Sequence, residues 1–146
     1  MMKVLMGIDV SKFSGSVTHA VVTQLRPENT EVLILHVLQP IEAAPPPEMS
    51  GRYAPELDED RKLALALIQK IAGQLRAAGF KAETTIKVGD PTALIIETAS
   101  EWGADLIVLG SHGQRDIRNF LLGSVSVAVA RDAKCSVEIA RGPAER

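Results

Sequence analysis

Aromatic side chains are nearly missing from this chain: one Trp, one Tyr and three Phe among 146 residues. An interior drawn from 46% hydrophobic residues with so few rings must be filled by Val, Ile, Leu and Ala. Cysteine is just as scarce. Cys135 stands alone, which excludes an internal disulfide, and no Cys/His cluster has metal-ligand spacing, so no metal ligand is assigned. Net charge is only −2, with 16 basic and 18 acidic residues interspersed rather than in blocks. The chain therefore lacks the basic field that steers nucleic acid, and nucleic acid is excluded as a partner. No stretch approaches the ~20 apolar residues of a membrane-spanning helix, so no membrane role is expected. The first apolar run is cut short by Asp9, so no signal peptide is expected either. What is left is a globular protein of a reducing compartment, the cytoplasm by default, folded as one domain over residues 1–146.

Short apolar runs alternate with helical periodicities along the chain. Residues 3–9 (KVLMGID) are apolar and end on a carboxylate, which suits a strand buried on both faces. Residues 14–25 place Val17, Ala20, Val21 and Leu25 at helical spacing behind Ser14 as N-cap. Residues 31–38 (EVLILHVL) read as a second strand. The stretch 39–55 contains Pro45, Pro46, Pro47 and Gly51 and is expected to be a surface loop, since proline cannot donate to a ladder. Residues 56–78 form the longest expected helix, with Ala64, Ile68, Ile71 and Leu75 on one face and Gly79 just past its end. Residues 81–88 read as the third strand. Asp90-Pro91 is a helix start, a carboxylate N-cap followed by proline at the first helical position, and that helix runs to Trp102 and Gly103. Residues 105–109 (DLIVL) are the fourth strand, 110–122 a loop, 124–132 a short helix and 135–140 the last strand.

Strands alternating with helices argue an α/β fold: an open five-stranded parallel sheet with helices on both faces. The order taken for it is the Rossmann-like 3-2-1-4-5. Ligands of such sheets sit beyond the carboxyl ends of the strands, where the winding direction switches, here between strands one and four. Asp9 ends the first and Gly110 follows the fourth. The loop after strand four reads Gly110-Ser111-His112-Gly113, nine residues, then Gly123-Ser124-Val125-Ser126. Gly110 and Gly113 let the backbone approach a bulky anion without a Cβ in the way. Gly123-Ser124 opens a helix whose free N–H groups and dipole favour phosphate. Hydroxyls of Ser124 and Ser126 can donate to phosphate oxygens, and His112 and Arg115 add positive charge. Spacing alone also allows Gly110 to be an ordinary strand-ending turn and Gly123 a helix boundary.

These residues resemble the universal stress protein family, and the resemblance covers essentially the whole chain. Nucleotide-binding members of that family carry G-x2-G-x9-G-[S/T], which Gly110, Gly113, Gly123 and Ser124 match with the full spacing. The flanking GSHG and LLGSVS, the opening strand ending in Asp9, Leu35-His36-Val37 and Gly89-Asp90-Pro91 are similar as well. The resemblance implies ATP or a related adenine nucleotide as ligand, with a divalent cation such as Mg2+ carried on the phosphates. It implies that Asp9, with Val10 beside it, faces the ribose, that Val37 offers main-chain contacts to adenine and that Leu109 lines the base pocket. Gly110, His112, Gly113, Arg115, Gly123, Ser124, Val125 and Ser126 would surround the phosphates. Three positions depart from the pattern. Val10 stands where a glycine is frequent, Gln114 where a basic residue usually follows the second glycine, and Asp116 brings a carboxylate into the loop within reach of Arg118.

No catalytic residue is assigned. The chain has no Walker lysine and no catalytic-loop Asp/Asn pair, so any hydrolysis should be slow. The leading function is a nucleotide-responsive binding and signalling module for stress response. The alternatives are a slow ATPase or nucleotidyl-transfer enzyme, and a regulator whose loop stays empty. A receiver-type regulator is rejected because Asp9 lacks an acidic neighbour and Asp90 reads as a helix cap. His19 and His36 read as structural, and Cys135 as a buried small hydrophobe rather than a nucleophile. Residues 135–140 should form a sheet edge, through which the resemblance implies a homodimer.

Overall fold

The computed structural model describes residues 1–9, 14–39, 50–111 and 123–141. Strand β1 (Met2–Gly7) leads to helix α1 (Ser14–Gln24), and a single 3-10 turn (Pro27–Asn29) precedes strand β2 (Thr30–Leu38). Helix α2 (Ser50–Ala77), strand β3 (Lys81–Val88) and helix α3 (Pro91–Trp102) follow. Strand β4 (Leu106–Gly110), helix α4 (Ser124–Asp132) and strand β5 (Ser136–Ala140) complete the order. All pairings are parallel and the sheet order is β3-β2-β1-β4-β5, as the alternating pattern predicts.

Period-two alternation sends the strand side chains to two separate cores. Val4, Met6, Val32, Ile34, Leu106 and Val108 pack against Val17 and Val21 of α1 and Ile68, Ile71 and Leu75 of α2. Leu5, Leu35, Ile107 and Leu109 pack on the other face against Ile95 and Ala99 of α3 and Val129 of α4. Because β1 and β4 are covered on both sides, their sequences are continuous apolar runs, and Val4, Leu5, Met6 and Ile107 are fully buried. No helix among the described residues is long and apolar enough to cross a membrane.

Helix ends follow their local signals. The Asp90 carboxylate accepts from Ala93 N at 2.9 Å, and Pro91 takes the first helical position, where its missing N–H has no partner to lose. Gly79 adopts φ +97°, and the bonds Phe80 N to Leu75 O (3.0 Å) and Gly79 N to Arg76 O (2.9 Å) close α2 in a Schellman turn. Trp102 ends α3, its carbonyl accepting from Lys3 Nζ at 3.2 Å and its ring lying 5.3 Å beneath that ammonium. Three expectations fail. The first strand, read over 3–9, ends at Gly7, so Asp9 lies beyond it. Ser14, read as the N-cap of α1, is the first residue of the helix itself. The loop predicted over 39–55 is already helical from Ser50, and Pro55 lies within α2. A proline near the helix start removes its own N–H, while the long run behind it propagates one bond per residue.

Gly7 is required for a close approach. A Cβ built there would sit 2.5 Å from Leu109 Cδ2 and 3.7 Å from Ile95 Cδ1. Gly7→Ala should therefore destabilise the fold by about 1–3 kcal/mol, the range for overpacking a filled core. Gly73→Ala in α2, where an added Cβ meets nothing within 4 Å, should be neutral or stabilise by up to ~1 kcal/mol. Urea unfolding of both variants checks the contrast.

Candidate functional site

The site begins where the central strand stops. Pairing of β1 with β4 ends at Met6↔Val108, and pairing with β2 ends at Gly7↔Leu35. Both neighbours run on. β2 continues to Leu38 along β3, and β4 continues to Gly110 along β5. The result is a notch at the carboxyl end of the sheet, floored by the end of β1 and walled by residues 36–38 on one side and 109–110 on the other. This is the point where the winding direction changes between β1 and β4, as the strand order requires.

Asp9 leaves β1 into this notch and is half-buried. Just before it, Ile8 is held from both sides of its peptide: its N–H donates to Leu35 O at 2.9 Å, and its carbonyl accepts from His36 Nδ1 at 2.7 Å. Val37, half-buried, stands on the β2 wall. Leu109 is only 4% exposed and fills the hollow over Gly7, so it forms a packed floor rather than an open wall.

On the β4 side, three bonds tie the strand to α4. Ser111 N donates to Ala140 O at 2.9 Å, Gly123 N donates to Ser111 O at 2.7 Å, and Ser126 Oγ donates to Gly110 O at 2.6 Å. Ser111 and Gly123, the described residues on either side of 112–122, are thus joined directly. Helix α4 starts at Ser124, with Gly123 as N-cap in extended geometry (φ −67°, ψ 158°). A glycine there brings no side-chain acceptor of its own, no bond among the described residues takes the N–H groups of residues 124–126, and the helix dipole favours negative charge at the same place. The contrast with α3 is direct, because that helix carries its own carboxylate at Asp90.

The structure thus gathers Asp9, Val37, Leu109, Gly110, Gly123, Ser124, Val125 and Ser126 around one end of the sheet. Ser124 is exposed, Val125 packs partly against the α3/α4 core, and Ser126 is buried. Ser126 is expected from sequence to donate to phosphate, yet its only hydrogen is directed at Gly110 O, making it a clasp between β4 and α4. Val10, His112, Gly113, Arg115, Gln114, Asp116 and Arg118 lie outside the described residues. Sequence reasoning missed Ser111 and the contact of His36 with Ile8. The only signal for Ser111 is its place inside GSHG, and for His36 its place in Leu35-His36-Val37, neither of which names the partner. Among the described residues no three metal-ligating side chains come together.

Cys135 lies at the opposite end of the sheet. It lines a cavity of about 150 Å³ with Ile96, Ala99, Ser100, Gly103, Ala104, Ala133 and Lys134. It is half-buried rather than buried as expected from sequence, and that partial burial pushes its thiol pKa up, in keeping with a packing role rather than a nucleophile.

The sequence model of the universal stress protein family matches residues 1–141. Universal stress protein YxiE of Bacillus subtilis is 32% identical over 145 residues, covering 95% of this chain and 98% of that protein. The structure of universal stress protein UspA from Lactobacillus plantarum has the same fold, with a TM-score of 0.87 over 96% of this chain and 97% of that one at 22% identity. A universal stress protein in complex with cAMP matches with a TM-score of 0.65 at 28% identity, over 96% of each chain.

The clasp generates a test of the site's construction. Ser126→Ala leaves the Gly110 carbonyl without its donor and should cost about 1 kcal/mol of stability, more if water cannot replace the hydroxyl. The Gly123 amide, whose bond to Ser111 O sits beside the clasp, should exchange faster with solvent. Thermal denaturation and amide exchange by NMR read the two effects.

Proposed function

The chain belongs to the universal stress protein family, and from that premise we propose that it binds an adenine nucleotide, ATP first among them, across the notch at the end of β1. In this reading the Asp9 carboxylate accepts from the ribose hydroxyls, with Val10 beside it. The Val37 main chain meets the edge of the adenine, and Leu109 supports the base from below. The phosphates lie at the start of α4, where the N–H groups of residues 124–126 and the Ser124 hydroxyl donate to them. Gly110, His112, Gly113 and Arg115 complete the enclosure. A divalent cation, if carried, rides on phosphate oxygens rather than in a cage of side chains.

One observation carries the proposal: an α4 N-terminus without a capping side chain opens beside the notch at the switch point of the sheet. A related protein's complex with cAMP adds that an adenine nucleotide enters this fold in that case. The function that follows is a module whose conformation or partners respond to the nucleotide, placed in the cytoplasm.

Thermal melts with ATP, AMP and cAMP, each with and without magnesium, test it. At ~100 times its dissociation constant, ATP should add about 2.7 kcal/mol of stability. Gly113→Val should abolish the shift while the unliganded protein stays folded, because a branched Cβ blocks backbone approach. Ser124→Ala should weaken ATP by roughly 1.5–3 kcal/mol, the range for a hydrogen bond to a charged group. A midpoint unmoved by every nucleotide contradicts the proposal.

The module is further proposed to act as a homodimer through β5, one edge of the sheet. Ala140 O accepts from Ser111 N on the β4 side. By strand alternation the main-chain groups of Val137 and Ile139 then point outward, free to pair with a second copy about a twofold axis. Glu138 needs a positive neighbour from that copy. Arg131 already pairs with Asp132 at 2.9 Å, so Lys134 and Arg141 are the residues to supply it. Sedimentation at micromolar protein should give a dimer. Val137→Pro should give a monomer, since it removes an outward donor and spares the β4 ladder. A parent that sediments as a monomer rejects the pairing and leaves the nucleotide site standing.

A further inference from the structure

The β1–β2 ladder ends at Gly7↔Leu35, and a side chain, not a further rung, meets the Ile8 carbonyl just beyond it. In a parallel ladder the N–H and C=O of one residue point to the same neighbouring strand, and those of the next residue to the other. Leu35 O accepts from Ile8 N, so Leu35 faces β1. Leu38 O accepts from Gly89 N, so Leu38 faces away from β1, toward the β3 side. Both bonds assign Val37 to the β1 side. The next rung would join Val37 N–H to the Ile8 carbonyl, pairing Ile8 with His36. That pair is not formed, and the register stops at Gly7↔Leu35. The Ile8 carbonyl instead accepts from His36 Nδ1 at 2.7 Å, in a buried bond between residues 28 apart in sequence. A carbonyl only accepts, so Nδ1 must carry the proton.

We propose that His36 is a positioning residue for the nucleotide site. Its imidazole occupies the acceptor that would otherwise draw Val37 into the ladder. It thereby keeps the Val37 N–H and C=O turned into the notch as an adjacent donor and acceptor. Such a pair matches the edge of adenine, where a ring nitrogen accepts beside an amino group that donates. The inference rests on the adenine-nucleotide reading for its ligand, but its structural half concerns this chain alone.

Two variants separate the role from simple packing. His36→Leu fills space without a donor, and the Ile8 carbonyl, left buried and unpaired, should recruit the Val37 N–H. His36→Asn restores an N–H at about the position of Nδ1. Amide exchange of unliganded protein by NMR should show Val37 poorly protected in the parent and in His36→Asn, and protected in His36→Leu. Calorimetry should show ATP about tenfold weaker in His36→Leu, the scale of one lost hydrogen bond, and recovered in His36→Asn. Binding of inorganic tripolyphosphate, which has no base, should be unchanged in both variants. Equal Val37 exchange in parent and His36→Leu would overturn the proposal, as would parental ATP affinity in His36→Leu. A parent that binds no ATP removes the nucleotide reading instead, and the exchange contrast then decides the role of His36 alone.

Discussion

β1 is the strand on which everything else is registered, and it is also the strand that ends first. It pairs with β2 on one side and β4 on the other, and its side chains feed both cores. When it stops at Gly7, its two neighbours continue without it, and the sheet can no longer satisfy the main chain facing the gap. At Gly7, where it stops, Leu109 crosses where a Cβ would stand. The Leu109 side chain then plugs the core below the notch, so that the opening above it does not reach the interior. The notch thus follows from the unequal lengths of the three strands.

Chemistry is added from the β4 side. The excursion after Ser111 returns at Gly123 through a 2.7 Å bond, and the Ser126 hydroxyl secures the first turn of α4 to Gly110. These contacts fix the direction in which α4 begins. The helix therefore presents its first-turn N–H groups at a set place beside the notch. Preorganisation of this kind lets a phosphate be held without the cost of ordering its donors at the moment of binding. At the far end of the sheet, reciprocal bonds between Lys3 and Asp105, at 2.7 and 2.9 Å, lock β1 to the start of β4. The two strands that flank the switch point are thereby held at both ends.

Much of this is legible in the sequence because it depends on local signals. The bounds of β3 and α4 agree with those read from periodicity, and Asp90-Pro91 and Gly79 act as the cap and the left-handed terminator their neighbours imply. The alternation of elements and right-handed crossovers give a parallel sheet with helices on both faces, and the strand pairings give its order β3-β2-β1-β4-β5. What is not legible depends on contacts distant in sequence. Ser126 looks like a phosphate donor until Gly110, sixteen residues away, is seen to take its hydrogen. His36 looks like one more buried strand residue until Ile8 is placed beside it. The start of α2 is misread for a different reason, since a cluster of prolines outweighs helix propagation in any local count.

The central claim is that the end of β1 and the start of α4 form one nucleotide site. Titrating isotope-labelled protein with ATP and following the backbone amides by NMR tests it most directly. The account predicts saturable shifts at Val37, Gly110 and residues 123–126, with the β5 edge and the cavity around Cys135 little affected. Shifts confined to another surface, or no shifts at millimolar ATP, would contradict it.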